Sequence, residues 1–232
     1  MKILVATHKP YPMPEEPIYL PVSVDSSQDL GYQRTDEGRN IAAKAAWYNE
    51  LTALYWGWQN LAGDVIGLAH YRRLFKATPE AIEALLRRTD VIVPKRRHYY
   101  IETNASQFAH AHGELPLEVT REVIAARHRD YLDAYDLVMK RTWGHRFNML
   151  IMKRPQLHAY CTWLFDILFA VEKELGTPPP RTMGFIAERL LDVWLEGSHT
   201  EYKELPVRYL ERTNWLKKGS HFLYRKFRRK PQ

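Results

Sequence analysis

Residues 49–73, NELTALYWGWQNLAGDVIGLAHYRR, decide how this chain folds. Apolar side chains recur at helical spacing over residues 51–61, which predicts a helix with Asn49 as its N-cap and Gly63 at its end. Residues 65–69 then form a short apolar run that is typical of a buried strand. A helix followed by a buried strand is the unit that builds a parallel sheet covered on both faces.

The same alternation extends in both directions along the chain. Residues 2–7 and 90–94 are short apolar runs that predict two more buried strands. Between them, Thr78 and Pro79 provide the N-cap and first-turn proline of a helix to about residue 88. Farther along, the patterns predict a helical region at 104–136 interrupted near Gly113 and Pro116, a strand at 147–152, and helices at 155–175 and 183–195.

Residues 8–38 contain five prolines, and this density predicts a long irregular excursion between the first strand and the next element. No internal repeat or low-complexity linker divides the chain. We therefore expect a single α/β domain over residues 1–213, with a mostly parallel central sheet and a helical C-terminal part. Residues 214–232 are expected to form a basic, flexible tail.

The composition is that of a globular protein. The chain has 232 residues, of which 45% are hydrophobic and 26% charged, so disordered and collagen-like classes are excluded. A single cysteine, Cys161, excludes an internal disulfide and a cysteine-rich zinc site, which favours a reducing, cytoplasmic setting. The apolar run at the N-terminus is too short for a signal-peptide core, and no stretch reaches the length of a membrane span.

The net charge of +7 belongs to the end of the chain. Residues 217–230 contain seven lysines and arginines and no acid, and the remainder has 27 basic and 27 acidic residues. A nucleic-acid-binding domain is expected to spread its cations over a folded face. The distribution therefore argues against nucleic acid as the partner.

Polar clusters follow two of the predicted strands. Thr7, His8 and Lys9 follow the first, and residues 70–73 follow the strand at 65–69. The second cluster consists of His70, Tyr71, Arg72 and Arg73. Because ligands of open α/β sheets bind at the carboxyl ends of strands, both clusters are candidate contacts for a phosphate or carboxylate. A solvated turn is the alternative for the arginines.

Two further groups have the residue types of a binding site. Tyr100, Glu102, Thr103 and Asn104 share one short segment, and aromatic faces beside small polar groups suit a polyhydroxylated ligand, although a packed loop has the same pattern. Glu188 lies in an apolar helix start, where desolvation favours a general base, although an exposed partner of Arg189 or of the neighbours of Asp192 is the alternative. His110 and His112 lack the further ligands that a metal site needs, so we expect surface histidines there.

Several strings resemble one bacterial family. They are residues 36–41, 49–60, 66–73, 100–104, 145–149, 160–165 and 184–191, together with residues 7–9. This pattern resembles DUF4422, a family of bacterial capsule and exopolysaccharide synthesis whose members include galactofuranosyltransferases. The resemblance implies a glycosyltransferase with a GT-A-like, nucleotide-sugar-binding α/β domain.

The resemblance also implies roles for the candidate residues. Residues 7–9 would contact the nucleotide and residues 70–73 the diphosphate, while Tyr100, Thr103, Asn104 and Asn148 would bind substrate. Glu188 is the expected catalytic base, with Glu102 second. The chain lacks the Asp-x-Asp with which many GT-A enzymes bind a divalent metal, so we expect arginines to stabilise the leaving group and no metal site. Manganese or magnesium remains the less favoured alternative.

The expected reaction is transfer of a sugar, galactofuranose first, from a UDP-sugar to a lipid-linked glycan acceptor at the inner face of the plasma membrane. The alternative is a non-catalytic adaptor that binds a sugar or nucleotide in a glycan assembly complex. A protein that binds nucleic acid through its basic tail is the third possibility.

The tail generates a direct prediction, because basic residues near an anionic bilayer contribute about 1 kcal/mol each and this attraction is screened by salt. The full-length protein should co-sediment with anionic vesicles at low salt and dissociate at high salt. A protein ending at Thr213 should do neither, yet still use a soluble acceptor. Equal vesicle binding by the two proteins would contradict the docking role and leave the tail an aid to solubility.

Overall fold

The computed structural model describes residues 1–24 and 29–211. The basic tail predicted at 214–232 lies outside the described residues. None of the helices in the described ranges combines the length and hydropathy of a membrane span.

The strands of the described chain form one large sheet and one small one. In chain order they are β1 (Lys2–Thr7), β2 (Tyr19–Ser23), β3 (Gln33–Arg34), β4 (Val65–His70), β5 (Arg73–Phe75), β6 (Val91–Pro94), β7 (Arg97–His98), β8 (Trp143–Gly144), β9 (Leu150–Lys153), β10 (Lys203–Leu205) and β11 (Val207–Tyr209). The main order across the large sheet is β10-β6-β9-β4-β1-β2-β3, while β7 and β8 pair separately. Four pairings along this order are parallel, and only β9 runs antiparallel to its two neighbours.

The helices pack around this sheet. They are α1 (Ala45–Tyr48), α2 (Leu51–Asn60), α3 (Pro79–Leu86), α4 (Asn104–His112), α5 (Leu115–Arg127), α6 (Leu132–Lys140), α7 (Arg154–Leu175) and α8 (Thr182–Gly197). The larger of two apolar clusters lies beneath α2, α7 and α8, and the smaller covers the opposite face of the sheet beside α3. The sheet is therefore buried on both faces, which explains the continuous apolar runs of β1 and β4.

Most of the predicted elements are present. Thr78 caps α3, since its side chain accepts a hydrogen bond from the backbone N–H of Ala81. Two predictions were wrong. Asn49 makes no side-chain cap on α2 and adopts a left-handed φ of 47° instead. Residues 8–38 are not wholly irregular, because they contain β2 and β3; β2 pairs in parallel with β1 despite Pro21 at its centre.

Gly67 lies in the centre of β4, where two neighbouring strands leave no space for a side chain. A Cβ placed there would lie 3.0 Å from the backbone oxygen of Leu150 and 3.0 Å from Ile151 Cγ1. Because a backbone atom of the adjacent strand cannot move away easily, even a methyl group requires the sheet to shift. The glycine thus permits the close packing of β1, β4 and β9.

We expect Gly67→Ala to lower the free energy of unfolding by about 1–3 kcal/mol, the usual effect of overpacking a core. Urea denaturation followed by circular dichroism measures this change. The control is Gly63→Ala, where the nearest atom to the added Cβ is Val65 O at 3.7 Å. That control should stay within about 0.5 kcal/mol of the parent. Equal effects of the two substitutions would contradict the packing argument.

Candidate active site

A cavity of about 310 Å³ opens where β1, β2 and β4 end. Its lining comprises Ala6, Thr7, His8, Val24, Asn49, Glu50, His70, Tyr71, Arg72 and Arg181. The two polar clusters singled out from the sequence meet here, because Ala6 in β1 pairs with His70 in β4. The carboxyl edge of the parallel strands is thus the candidate site, as expected for an open α/β sheet.

The residues after β1 form a fixed turn against Tyr71. The Thr7 hydroxyl donates to the carbonyl of Lys9 at 2.7 Å, and Thr7 is itself buried. The Lys9 ammonium lies 5.4 Å from the centre of the Tyr71 ring, and the His8 ring meets the same tyrosine edge-on at 5.5 Å. Tyr71 therefore holds the basic turn in place at the mouth of the cavity.

The residues after β4 present cations in two different environments. Arg72 lies over the face of Tyr71 and forms a 3.5 Å ion pair with Glu211. Arg73 is packed 4.3 Å from the Phe147 ring centre, and its Nε is buried without a hydrogen-bond partner among the described residues. Burial, and then the charge of Arg72, lower the pKa of Arg73. A guanidinium still keeps its proton at neutral pH, so both arginines remain positive.

The Phe147 backbone joins the expected catalytic base to this edge of the sheet. Its N–H donates to Glu188 Oε1 at 3.2 Å, and its carbonyl accepts a 2.5 Å hydrogen bond from His70 Nε2. The second carboxylate oxygen of Glu188 accepts from Arg189 at 3.1 Å. Glu188 is therefore linked to the cavity residue His70 through a single residue.

The other expected base, Glu102, does not come to this cavity. Its carboxylate is buried and contacts His110 Nδ1 at 2.6 Å. Asn104, expected to bind substrate, is fully buried, and its amide donates to the carbonyls of Val138 and Trp143. Its remaining oxygen accepts from Arg146, so every polar atom of the Asn104 side chain is used inside the fold.

The three remaining substrate-binding candidates lie in different environments. Thr103 caps α4 by a reciprocal capping box with Ser106, which is a structural role. Tyr100 is 86% exposed, so its ring is open to solvent, and its backbone has a left-handed φ of 60°. Asn148 is buried, and its Nδ2 donates to Glu50 Oε1 at 2.7 Å and to a backbone carbonyl of α8.

Residues 2–200 match the family described as a domain of unknown function, DUF4422. The chain belongs to the DUF4422 family. A search of curated proteins finds no match.

Among solved structures, the apo structure of WbbM, a bifunctional glycosyltransferase, matches this DUF4422 chain with a TM-score of 0.83 at 23% identity. The match covers 91% of this chain and 45% of WbbM, so the chain spans less than half of the WbbM length. The fold expected from the sequence, a GT-A-like α/β domain with a mostly parallel sheet, is confirmed.

Three polar residues of the cavity in this DUF4422 chain were not predicted as site residues from the sequence. They are Asn49, Glu50 and Arg181. Arg181 adopts a left-handed φ of 67°, and its N–H donates to the carbonyl of Ala46, which fixes the start of α8 against α1. The sequence signal for an unusual entry into α8 was the run Pro178 to Pro180, which lies between the end of α7 and Arg181.

Among the described residues, the donor set at the cavity is poor in the oxygen ligands of a divalent metal. Within the described lining, Glu50 is the single carboxylate, beside Arg72 and Arg181. Within the described ranges no group of three histidine, cysteine, aspartate or glutamate side chains could hold a metal ion. Hard divalent cations require several oxygen ligands, whereas this lining offers guanidinium groups, which bind phosphate oxygens directly.

We expect Arg72→Gln and Arg181→Gln each to weaken the binding of inorganic pyrophosphate about tenfold, since a charge-assisted hydrogen bond contributes about 1.5–3 kcal/mol. Isothermal titration calorimetry at fixed salt measures the affinity. Arg121→Gln serves as the control, because Arg121 pairs with Asp136 on the helical side of the protein. Loss of affinity in the control as well would indicate a general charge effect and contradict a built anion site.

Proposed function

We propose that this chain is a glycosyltransferase that transfers a sugar from a nucleoside diphosphate donor to an acceptor hydroxyl. The observation that carries the proposal is that basic side chains and the hydrogen-bonded carboxylate of Glu188 converge at one edge of the sheet. Arg72 and Arg181 line the cavity, and Glu188 is connected to His70 through the Phe147 backbone. The fold shared with WbbM supports the same class of reaction.

The basic residues would bind the donor through its diphosphate. Two guanidinium groups and the turn at residues 7–9 surround the end of β1, where the nucleotide of such a donor is expected. When the bond between sugar and diphosphate breaks, negative charge grows on the departing oxygen. Cations already placed beside that oxygen would stabilise this charge, which is often a large contribution to catalysis.

Glu188 would act as the base. In the proposed step the acceptor oxygen forms a bond to the anomeric carbon, the bond from that carbon to the diphosphate breaks, and the acceptor proton passes to the Glu188 carboxylate. The hydrogen bond from the Phe147 N–H and the contact with Arg189 orient the carboxylate before the acceptor arrives. Orientation of this kind lowers the entropic barrier to the reaction.

The donor and acceptor follow from the family resemblance. A UDP-sugar, with galactofuranose as the first choice, is the proposed donor, and a lipid-linked surface glycan is the proposed acceptor. The protein would reach that acceptor at the cytoplasmic face of the membrane through residues of the basic tail.

The proposal is tested with a panel of nucleoside diphosphate sugars, with and without manganese, in a thermal-shift and donor-hydrolysis assay. A true donor should raise the melting temperature without metal, because it binds only the folded state, and it should be hydrolysed slowly when no acceptor is present. Glu188→Gln should reduce turnover at least a hundredfold while changing donor affinity less than threefold, since only the base is removed.

Three outcomes would contradict this proposal. Binding without any hydrolysis or transfer would indicate a non-catalytic adaptor. Normal turnover by Glu188→Gln would exclude Glu188 as the base. Stabilisation only with manganese would contradict metal-independent transfer and direct attention to Asp36 and Glu37. Asp36 already pairs with Arg34 in this structure.

A further inference from the structure

Glu50 is a buried carboxylate that lines the candidate cavity and forms no ion pair with any described residue. It is 8% exposed, and its side chain has one hydrogen-bond partner among the described residues, Asn148 Nδ2 at 2.7 Å. That bond uses one carboxylate oxygen. The other oxygen is left to accept hydrogen bonds from whatever occupies the cavity, which Glu50 lines.

The backbone around Glu50 is unusually strained. Six residues other than glycine have a positive φ in the described ranges, and four of them belong to this site: Asn49, Phe147, Asn148 and Arg181. Asn49 precedes Glu50, Asn148 binds its carboxylate, and Arg181 lines the same cavity. Strained backbone persists where the surrounding structure enforces it and is concentrated at ligand-binding and catalytic sites.

The Asn148 amide is fixed in one orientation by its partners. Both groups that face its Nδ2, Glu50 Oε1 and the carbonyl of Gly184, are acceptors, so the nitrogen must lie on that side. Its oxygen is buried with no partner among the described residues. The amide is therefore dedicated to holding Glu50, at the cost of leaving a buried acceptor unpaired.

A simpler role for Glu50 would be that of an acid at the start of α2, where the helix dipole favours negative charge. An acid in that role can remain exposed to solvent and does not need a buried hydrogen-bond partner. Glu118, in the first turn of α5, is such an acid, and it is exposed. Removing Glu50 from water instead costs free energy that a surface carboxylate avoids, and a dipole alone does not require it.

We propose that Glu50, positioned by Asn148, accepts hydrogen bonds from hydroxyl groups of the donor sugar and so determines which sugar is transferred. This inference rests on the proposed function. Arg72 and Arg181 in the lining suit the diphosphate, whereas a carboxylate repels phosphate and is complementary to a polyol. Glu50 is accordingly a specificity residue, distinct from the base Glu188.

The test compares two probes, UDP and the UDP-sugar that most stabilises the parent protein, by calorimetry. Glu50→Gln should weaken the UDP-sugar at least tenfold and leave UDP within twofold or bound more tightly, because repulsion of the diphosphate is also removed. Glu118→Gln is the matched control and should change neither affinity. Equal weakening of both probes, or no weakening of the UDP-sugar, would overturn the inference.

Glu50→Asp provides a second measurement if the glutamine variant does not fold. Aspartate keeps the charge, but its side chain is one methylene shorter, so the carboxylate lies farther from the sugar hydroxyls. The ratio of kcat/KM for two epimeric UDP-sugars should therefore change at least fivefold. An unchanged ratio would overturn the role in specificity while leaving the proposed transferase intact. A parent protein that binds no nucleotide sugar would instead overturn the transferase proposal and this inference with it.

Discussion

The geometry of the candidate site depends on the backbone of Phe147. Its N–H is bound to Glu188 of α8, and its carbonyl is bound to His70 at the end of β4. The next residue, Asn148, holds Glu50 at the start of α2. Two consecutive residues therefore join three separate elements, and both need a left-handed conformation to direct their groups in this way. A shift in this short segment would move the proposed base and the proposed sugar-binding carboxylate together.

The segment is anchored from beneath by the buried guanidinium of Arg146. This group donates to Asp192 and to the carbonyl of Glu188, and its Nε donates to the Tyr99 hydroxyl. Burial lowers the pKa of Arg146, but Tyr99, Asp192 and Glu188 outweigh that effect, so its pKa lies above the usual value and the cation is retained. Removing one partner of a buried ion pair costs about 3–5 kcal/mol, so the fold depends on this anchor. Gly144 is required beside it, because a Cβ there would collide with the guanidinium.

The sequence revealed those parts of the molecule that depend on local patterns. Residues 2–7 were predictable as a buried strand from their apolar run. The position of the site was predictable too, because the carboxyl ends of parallel strands meet at one edge of the sheet. β2 was missed because Pro21 suggests a break, although a strand tolerates it here. Asn104 resembled a ligand contact until the structure showed its amide bound to distant backbone carbonyls. Glu50 was missed because its partner lies 98 residues away, and no local pattern reports such a contact.

The two arginines after β4 differ in how readily they can serve a ligand. Arg73 is wedged against Phe147, and moving it would disturb the segment that orients Glu188. Among the described residues, Arg72 forms an ion pair with Glu211 alone, and the two side chains are 39% and 44% exposed. An exposed pair of this kind contributes about 0–1 kcal/mol, so exchanging Glu211 for a diphosphate costs little. In the proposed reaction, the fixed Arg73 would supply a preset positive field. The exchangeable Arg72 would supply a cation that can follow the diphosphate as it departs.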